Sequence, residues 1–316
     1  WQLDARSESP DAVTALNRAL AVDGAAVHIK AGQSLPRPLQ VLVVTAPGDA
    51  PDMTHLAHSI VLEPGASATV ILQHVGTSAG AHFSTQTLAL NLASDSKLEL
   101  VRIQEEGAGT TSLLRCDAHV VERAHLALSS VDLGGALVRN DWNVALAAPH
   151  ATVDLAGLYA PSGASHVDNH TRIDHFQPHG TSRELFRGVV SDKARAVFNG
   201  KIIVHPGAQK TDSEQRVANL LLSKGAEVNA KPELEIYADD VKCAHGATFG
   251  QLDEQALFYL RSRGLPAESA RALLTYTFAF TALERIGHAG ARRLAQRRFL
   301  ARLPQGLSLE DLEGQA

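Results

Sequence analysis

The chain has 316 residues, of which 45% are hydrophobic, 20% charged and only 5% aromatic. Its formal net charge of -5 at pH 7 gives none of the basic excess that a nucleic-acid partner calls for. A core filled mainly by Ala, Val, Leu and Ile suits many thin stacked layers, and the two cysteines, Cys116 and Cys243, could form one disulfide but no disulfide framework.

The sequence opens Trp1-Gln2-Leu3-Asp4, with no initiator Met, basic n-region or apolar h-region, and reads as a fragment or processed product of a cytoplasmic protein. The longest strongly apolar stretch, 273–283, is about half of what a bilayer-spanning helix needs. Residues 1–25 predict one short helix: Ser9 as N-cap, Pro10 at the first position, Asp11 in the first turn, then Val13, Leu16 and Leu20 at helical spacing and Gly24 past the end.

From Ala26 to Gly250 the period changes to two, as in Lys97-Leu98-Glu99-Leu100-Val101 and Thr152-Val153-Asp154-Leu155, which predicts strands. A turn-then-strand phrase recurs around Gly65, Asp95, Arg123 and His150, and again around Asp192 and Lys224; the early copies lie roughly 26–30 residues apart, a solenoid-like period. Strands of this kind bury their apolar face only when the next coil stacks on them. An antiparallel sandwich is the rival arrangement, and the scarcity of hairpin dipeptides between these strands, with Asn199-Gly200 the one Asn-Gly of the region, favours the solenoid.

Residues 251–316 turn helical. Asp253 caps a helix bearing Ala256, Leu257 and Leu260, with Gly264 at its end; Pro266 opens a second, with Ala270, Leu273, Leu274 and Phe280 near one face. A third, from about Ala289 to Leu303, carries Arg292, Arg293, Arg297, Arg298 and Arg302, read as a solvated face, and a loose acidic tail begins at Pro304.

Phosphate-loop, dinucleotide-binding, nucleophile-elbow and HExxH motifs are all absent, which argues against an enzyme. His166, His170, His175 and His179 invite a metal, but strand residues four apart lie about 13 Å from one another, so they read as solvated or core-satisfied histidines. Cys116 alternates with apolar neighbours and reads as core; Lys201, His205, Lys210 and Asp212 receive no role. Cys243 and His245 stand two apart, so an extended strand presents thiol and imidazole on one side. Two ligands fall short of the usual four, and any site they build needs a partner or another coil. A small buried cysteine beside a surface histidine is the plainer reading.

The phrases Val189-Val190-Ser191-Asp192-Lys193-Ala194-Arg195-Ala196-Val197-Phe198-Asn199-Gly200 and Ala230-Lys231-Pro232-Glu233-Leu234-Glu235-Ile236-Tyr237-Ala238-Asp239-Asp240-Val241-Lys242-Cys243-Ala244-His245-Gly246-Ala247-Thr248, with Gln255 through Gly264, resemble the SufD branch of the SufB/SufD family of iron–sulfur cluster assembly proteins. A weaker resemblance reaches back to about Gly32. It implies a mainly β fold, a right-handed parallel β-helix (β-solenoid) over 26–250 between helical segments. It implies a scaffold subunit, without catalytic motif, that pairs with SufB and docks the SufC ATPase through the C-terminal helices. His245 matches a histidine implicated at the interface with SufB, and Cys243 is its helper; a nascent iron–sulfur cluster or iron would be held transiently between subunits. Three alternatives stay open: a purely structural partner supplying no ligand, a homodimer of isolated chains, and a polysaccharide-active β-helix enzyme. The longer N-terminal helical region usual in the family is mostly missing here.

Overall fold

The computed structural model describes residues 12–46, 52–76 and 80–303. One sheet contains β1 (Ala26–Ile29), β3 (Asp52–Leu62), β5 (His82–Leu92), β7 (Thr110–Val120), β9 (Leu137–Leu146), β11 (His166–His175), β13 (Arg195–Val204) and β15 (Glu227–Ile236), paired in that order. The other contains β2 (Leu39–Thr45), β4 (Ser67–Gly76), β6 (Lys97–Glu105), β8 (His125–Asp132), β10 (Thr152–Tyr159), β12 (Thr181–Val190), β14 (Asp212–Leu221) and β16 (Lys242–Gly250). All the pairings between these strands are parallel, and each strand bonds to strands one coil away. This is a β-solenoid of two facing sheets; the sandwich alternative is excluded, and with it any need for hairpin dipeptides.

Period-two alternation explains the packing. In β9 every second residue, Val138 to Leu146, is buried between the sheets, while Leu137, Arg139, Asp141 and Asn143 are only partly covered. Large and small residues fit across coils. Gly157 of β10 is paired with Phe186 of β12, and a Cβ at Gly157 would lie 2.1 Å from the Phe186 ring.

The corners are built from left-handed turns. Gly65, Asp95, Arg123, His150, His179 and Lys210 all have positive φ, and each of the six precedes a strand of the second sheet. Their amides are bonded from coil to coil: Asp95 N–H to Glu122 O, Arg123 N–H to Pro149 O, His150 N–H to Pro178 O. The copies at Asp192 and Lys224 lead instead into β13 and β15, so they form the opposite corner and are not further copies of the first turn. Polar short side chains such as Asp tolerate this conformation; for Arg, His and Lys the stacked hydrogen bonds hold it.

Four helices are described: α1 (Ala12–Leu20), α2 (Glu254–Ser262), α3 (Ala267–Leu283) and α4 (Ala289–Leu300). The proposed cap at Ser9, Pro10 and Asp11 lies outside the described residues. In α1 the apolar stripe faces outward: Val13, Leu16 and Leu20 are each about 40% exposed, and Thr14 and Asn17 are buried instead. Asn17 is the anchor. Its Nδ2 donates to Leu56 O and Thr85 O at 3.1 and 2.9 Å, and its Oδ1 accepts from Thr87 Oγ1 at 3.0 Å. Helix α2 starts at the Asp253 cap, whose carboxylate accepts from the Gln255 and Ala256 amides. Helices α3 and α4 cover the outer face of the second sheet over Ile71, Val101, Ile103, Val131 and Leu158. The covering face of α3 is Ala270, Tyr276, Ala279, Ala282 and Leu283, while Leu273, Leu274 and Phe280 are only partly buried; small residues let the helix lie close to the sheet. No helix among the described residues is long and apolar enough to cross a membrane.

Gly157→Ala is expected to cost about 1–3 kcal/mol by forcing the Phe186 ring out of its slot. Urea unfolding measures it; an unchanged midpoint would show that the ring has room to move.

Candidate functional site

The site lies where the solenoid ends. Strand β16 pairs with β14 on one side only, and β15 ends the other sheet, so both strands of the terminal coil offer unpaired backbone edges among the described residues. Register fixes the direction of the side chains. Cys243 is paired with Ser213, His245 with Gln215, Ala247 with Val217 and Phe249 with Asn219. All four partners are buried inside the solenoid, so the β16 residues stand on the inward-facing side. With no further coil above among the described residues, His245 is exposed and Phe249 is 52% exposed. Cys243 is half-buried against the interior apolar cluster, and burial, followed by the Asp212 carboxylate, pushes its thiol up.

Under these two residues run two columns of buried polar groups. Below Cys243, Ser213 Oγ and Ser182 Oγ share a hydrogen bond of 2.7 Å, and Ser182 Oγ shares another of 2.9 Å with His175 Nε2. Burial brings the His175 imidazole down to about 4, so it is neutral at pH 7. Below His245, Gln215 Nε2 donates to Glu184 Oε2 at 2.6 Å. Gly200, opposite, leaves the space: a Cβ there would lie 2.2 Å from Gln215 Nε2. Gln215 Oε1 and Glu184 Oε1 are buried and find no protein partner, and burial pushes the Glu184 carboxyl up to about 7. Deeper still, Asn140 Nδ2 donates to Asn169 and Asp132, and Arg102 pairs with Asp132 at 2.5 Å, both residues fully buried.

The other candidates do not converge. His166 and His170 are partly exposed, His175 is the buried imidazole just described, and His179 stacks on His150 with centroids 4.7 Å apart. No group of three or more His, Cys, Asp or Glu able to hold a metal ion occurs among the described residues. Cys116 is buried core in β7, and both cysteines are free. Lys201 pairs with Glu235 and His205 with Asp174, at 2.8 and 2.9 Å; Lys210 pairs with Asp240, and Asp212 with Arg183. Of the basic residues on α4, Arg298 pairs with Glu105 at 3.3 Å. Sequence reading missed the buried columns. Their signal was present, since Ser182-x-Glu184 and Ser213-x-Gln215 put polar residues at inward positions that are apolar in Val153-x-Leu155 and Leu126-x-Leu128.

Because Glu184 stays protonated in the folded chain up to about pH 7 and ionises near 4.5 when unfolded, the folded state holds the extra proton between those values. Stability from this group is therefore full below pH 4.5 and falls as pH rises to about 7, by on the order of 3 kcal/mol. His175 runs the other way, losing stability as pH falls from 6.5 towards 4. Comparison with Glu184→Gln isolates the first effect. The variant's stability relative to wild type, from urea unfolding, should be higher at pH 8 than at pH 5 by about 2–3 kcal/mol; an equal difference at both would mean an ordinary carboxyl.

Comparison with known proteins gives the family. Residues 44–278 match the family described as "SUF system FeS cluster assembly, SufBD core domain". The chain is 36% identical over 310 residues to the iron–sulfur cluster assembly protein SufD of Escherichia coli, covering 96% of this chain and 73% of that protein. It is 30% identical over 292 residues to an iron–sulfur cluster assembly SufBD family protein of Synechocystis, covering 64% of that relative, and 27% identical over 275 residues to SufD of Bacillus subtilis, covering 61%. Strands, core and open terminal coil thus belong to sequence shared with these proteins, and the chain is a member of the SufBD family of SUF-system iron–sulfur cluster assembly proteins, of SufD type.

Proposed function

We propose that the chain works as a non-catalytic scaffold subunit whose open terminal coil joins a SufB subunit, with His245, helped by Cys243, offered to a cluster forming between the two. The observation that carries this reading is the position of His245: it occupies the inward register of the last coil, yet it is solvent-exposed because no further strand pairs with β16 among the described residues. Thiol and imidazole two residues apart sit about 7 Å apart along the strand. They make half of a tetrahedral set, and a second subunit closing on the coil supplies the rest. The iron–sulfur cluster is cargo in this scheme, passed on after assembly. The raised Cys243 thiol works against ligation at neutral pH, because metal must displace a tightly held proton, and this places Cys243 second to His245.

The choice of end has a physical basis. The strands closing the other end are shorter, β1 with 4 residues and β2 with 7, against 10 in β15 and 9 in β16. Long unpaired parallel edges are templates for another chain. The same edges would pair two copies of this chain when no SufB is present. Helix α2 supports a second contact, with the SufC ATPase: it has no buried residue, and Phe258 and Tyr259 are 73% and 56% exposed. Aromatic side chains of this exposure on a short helix are typical anchors for a partner. A cytoplasmic setting completes the proposal.

The alternative, a structural partner that supplies no ligand, is separated by one variant. His245→Ala, co-expressed with SufB and SufC, should co-purify normally, unfold within about 0.5 kcal/mol of wild type, and carry several-fold less iron and acid-labile sulfide. Cys243→Ser should show a smaller loss. Wild-type cluster content in His245→Ala would leave only the structural role.

A further inference from the structure

A groove of about 640 Å³ runs along the outer face of the second sheet, beside the C-terminal end of α3 and the α3–α4 connection. Its volume is in the range of small-molecule sites, which favour such junctions between structural units. The floor includes Ala127 and Ala156, and Arg183, Arg187, Arg216 and Arg285 stand around it.

The charges of these arginines are not equally answered. Arg183 pairs with Asp212 at 3.0 Å, and Arg216 donates to Glu214 at 2.6 Å. Arg187 is half-buried and lies over the Phe278 ring, 5.2 Å from its centroid. Its Nε is buried without an acceptor, and no carboxylate lies within ion-pair distance of it among the described residues. Burial and the neighbouring charge of Arg216 both weigh against its own charge. Arg285, exposed at the end of α3, likewise has no carboxylate partner among the described residues. Four carboxylates also line the groove, and each is engaged away from Arg187 and Arg285: Glu99 Oε1 accepts from the Gly287 and His288 amides at 2.6 and 2.9 Å, Asp154 lies 3.7 Å from His125, Glu214 accepts from Arg216, and Glu184 accepts from Gln215. A guanidinium fixed on an aromatic ring, desolvated, facing a second guanidinium and lacking a counter-ion is arranged for an incoming anion. The planar donor fork suits the paired oxygens of a phosphate group.

We propose that this groove binds a phosphate-bearing anion, with Arg187 as the principal contact and Arg216 and Arg285 completing it. This is separate from the open coil that carries His245 and does not depend on any role in cluster assembly. The bland competitor is that Arg187 only clamps α3 onto the sheet through Phe278.

Calorimetric titration of the full chain at low ionic strength tests it, with inorganic pyrophosphate and ADP as probes. Saturable 1:1 binding is expected, weakened at least tenfold in Arg187→Met and several-fold in Arg285→Met. Arg298→Met, whose side chain pairs with Glu105 outside the groove, should bind as wild type does. ADP binding more tightly than pyrophosphate would mark a nucleotide site, and equal affinities a site for phosphate alone; both support the proposal. Three results would overturn it: no heat at millimolar pyrophosphate, undiminished binding in Arg187→Met, or equal weakening in Arg298→Met. Because Arg285 is exposed, its variant keeps the question open to test even if Arg187→Met fails to fold.

Discussion

Everything in this molecule depends on hydrogen bonding between coils. A strand here has no partner within its own turn, and its amides and carbonyls are satisfied by the turns before and after it. The arrangement makes each coil depend on its neighbours and leaves the last one unsatisfied by construction. Among the described residues the final strands have one neighbour each, while β10 has two. An unfinished end is thus a necessary product of the fold, and the sequence decides only which residues are displayed there. In this chain they are Cys243 and His245 on one strand and Pro232 in the middle of the facing one, a residue that a sheet accepts mainly at an edge because it lacks an N–H.

The second constraint is the interior. A narrow space between two sheets would be simplest to fill with aliphatic side chains, and much of it is filled that way. Yet Arg102, Asp132, Asn140, Asn169, Glu184 and Gln215 are all buried within it. Separating a buried pair such as Arg102 and Asp132 costs several kcal/mol, whereas apolar replacement of both can be neutral. Their presence is not explained by stability. What they do supply is fixed direction: Glu184, Gln215 and His245 follow one another in register on successive strands, so the end of the coil rests on a polar support instead of on a deformable apolar layer.

The period of two and the recurrence of a turn at Gly65, Asp95, Arg123 and His150 made the solenoid legible, because both are direct imprints of a strand that must face inward and a corner that must turn left. The two corners could not be told apart, since Asp95 and Asp192 have the same chemistry and take the same left-handed conformation, with φ of 61° and 57°. The outward stripe of α1 was illegible for a different reason. Helical spacing reports that a face is apolar, not where it points, and the hydrogen bonds of Asn17 to β3 and β5 set the orientation. His245 and Cys243 were visible from their alternation, but their exposed end position was not, because nothing in a local phrase says that the coil above is missing. The inward carboxyl at Glu184 went unnoticed since a glutamate in an alternating strand is ordinarily placed on the wet side.

The column of left-handed corner residues has one more consequence. Each donates its amide to a carbonyl one coil along, and the residues Asp95, Arg123, His150 and His179 repeat this without interruption. Successive corners from Gly65 to Lys210 lie 30, 28, 27, 29 and 31 residues apart, so coils differ by single residues while their strands stay in register. The connections absorb such differences, whereas an extra residue inside a strand would turn its neighbours to the opposite face. Slack in chain length is thus stored at the surface, and the rim that carries His245 keeps its alignment with the coils below it.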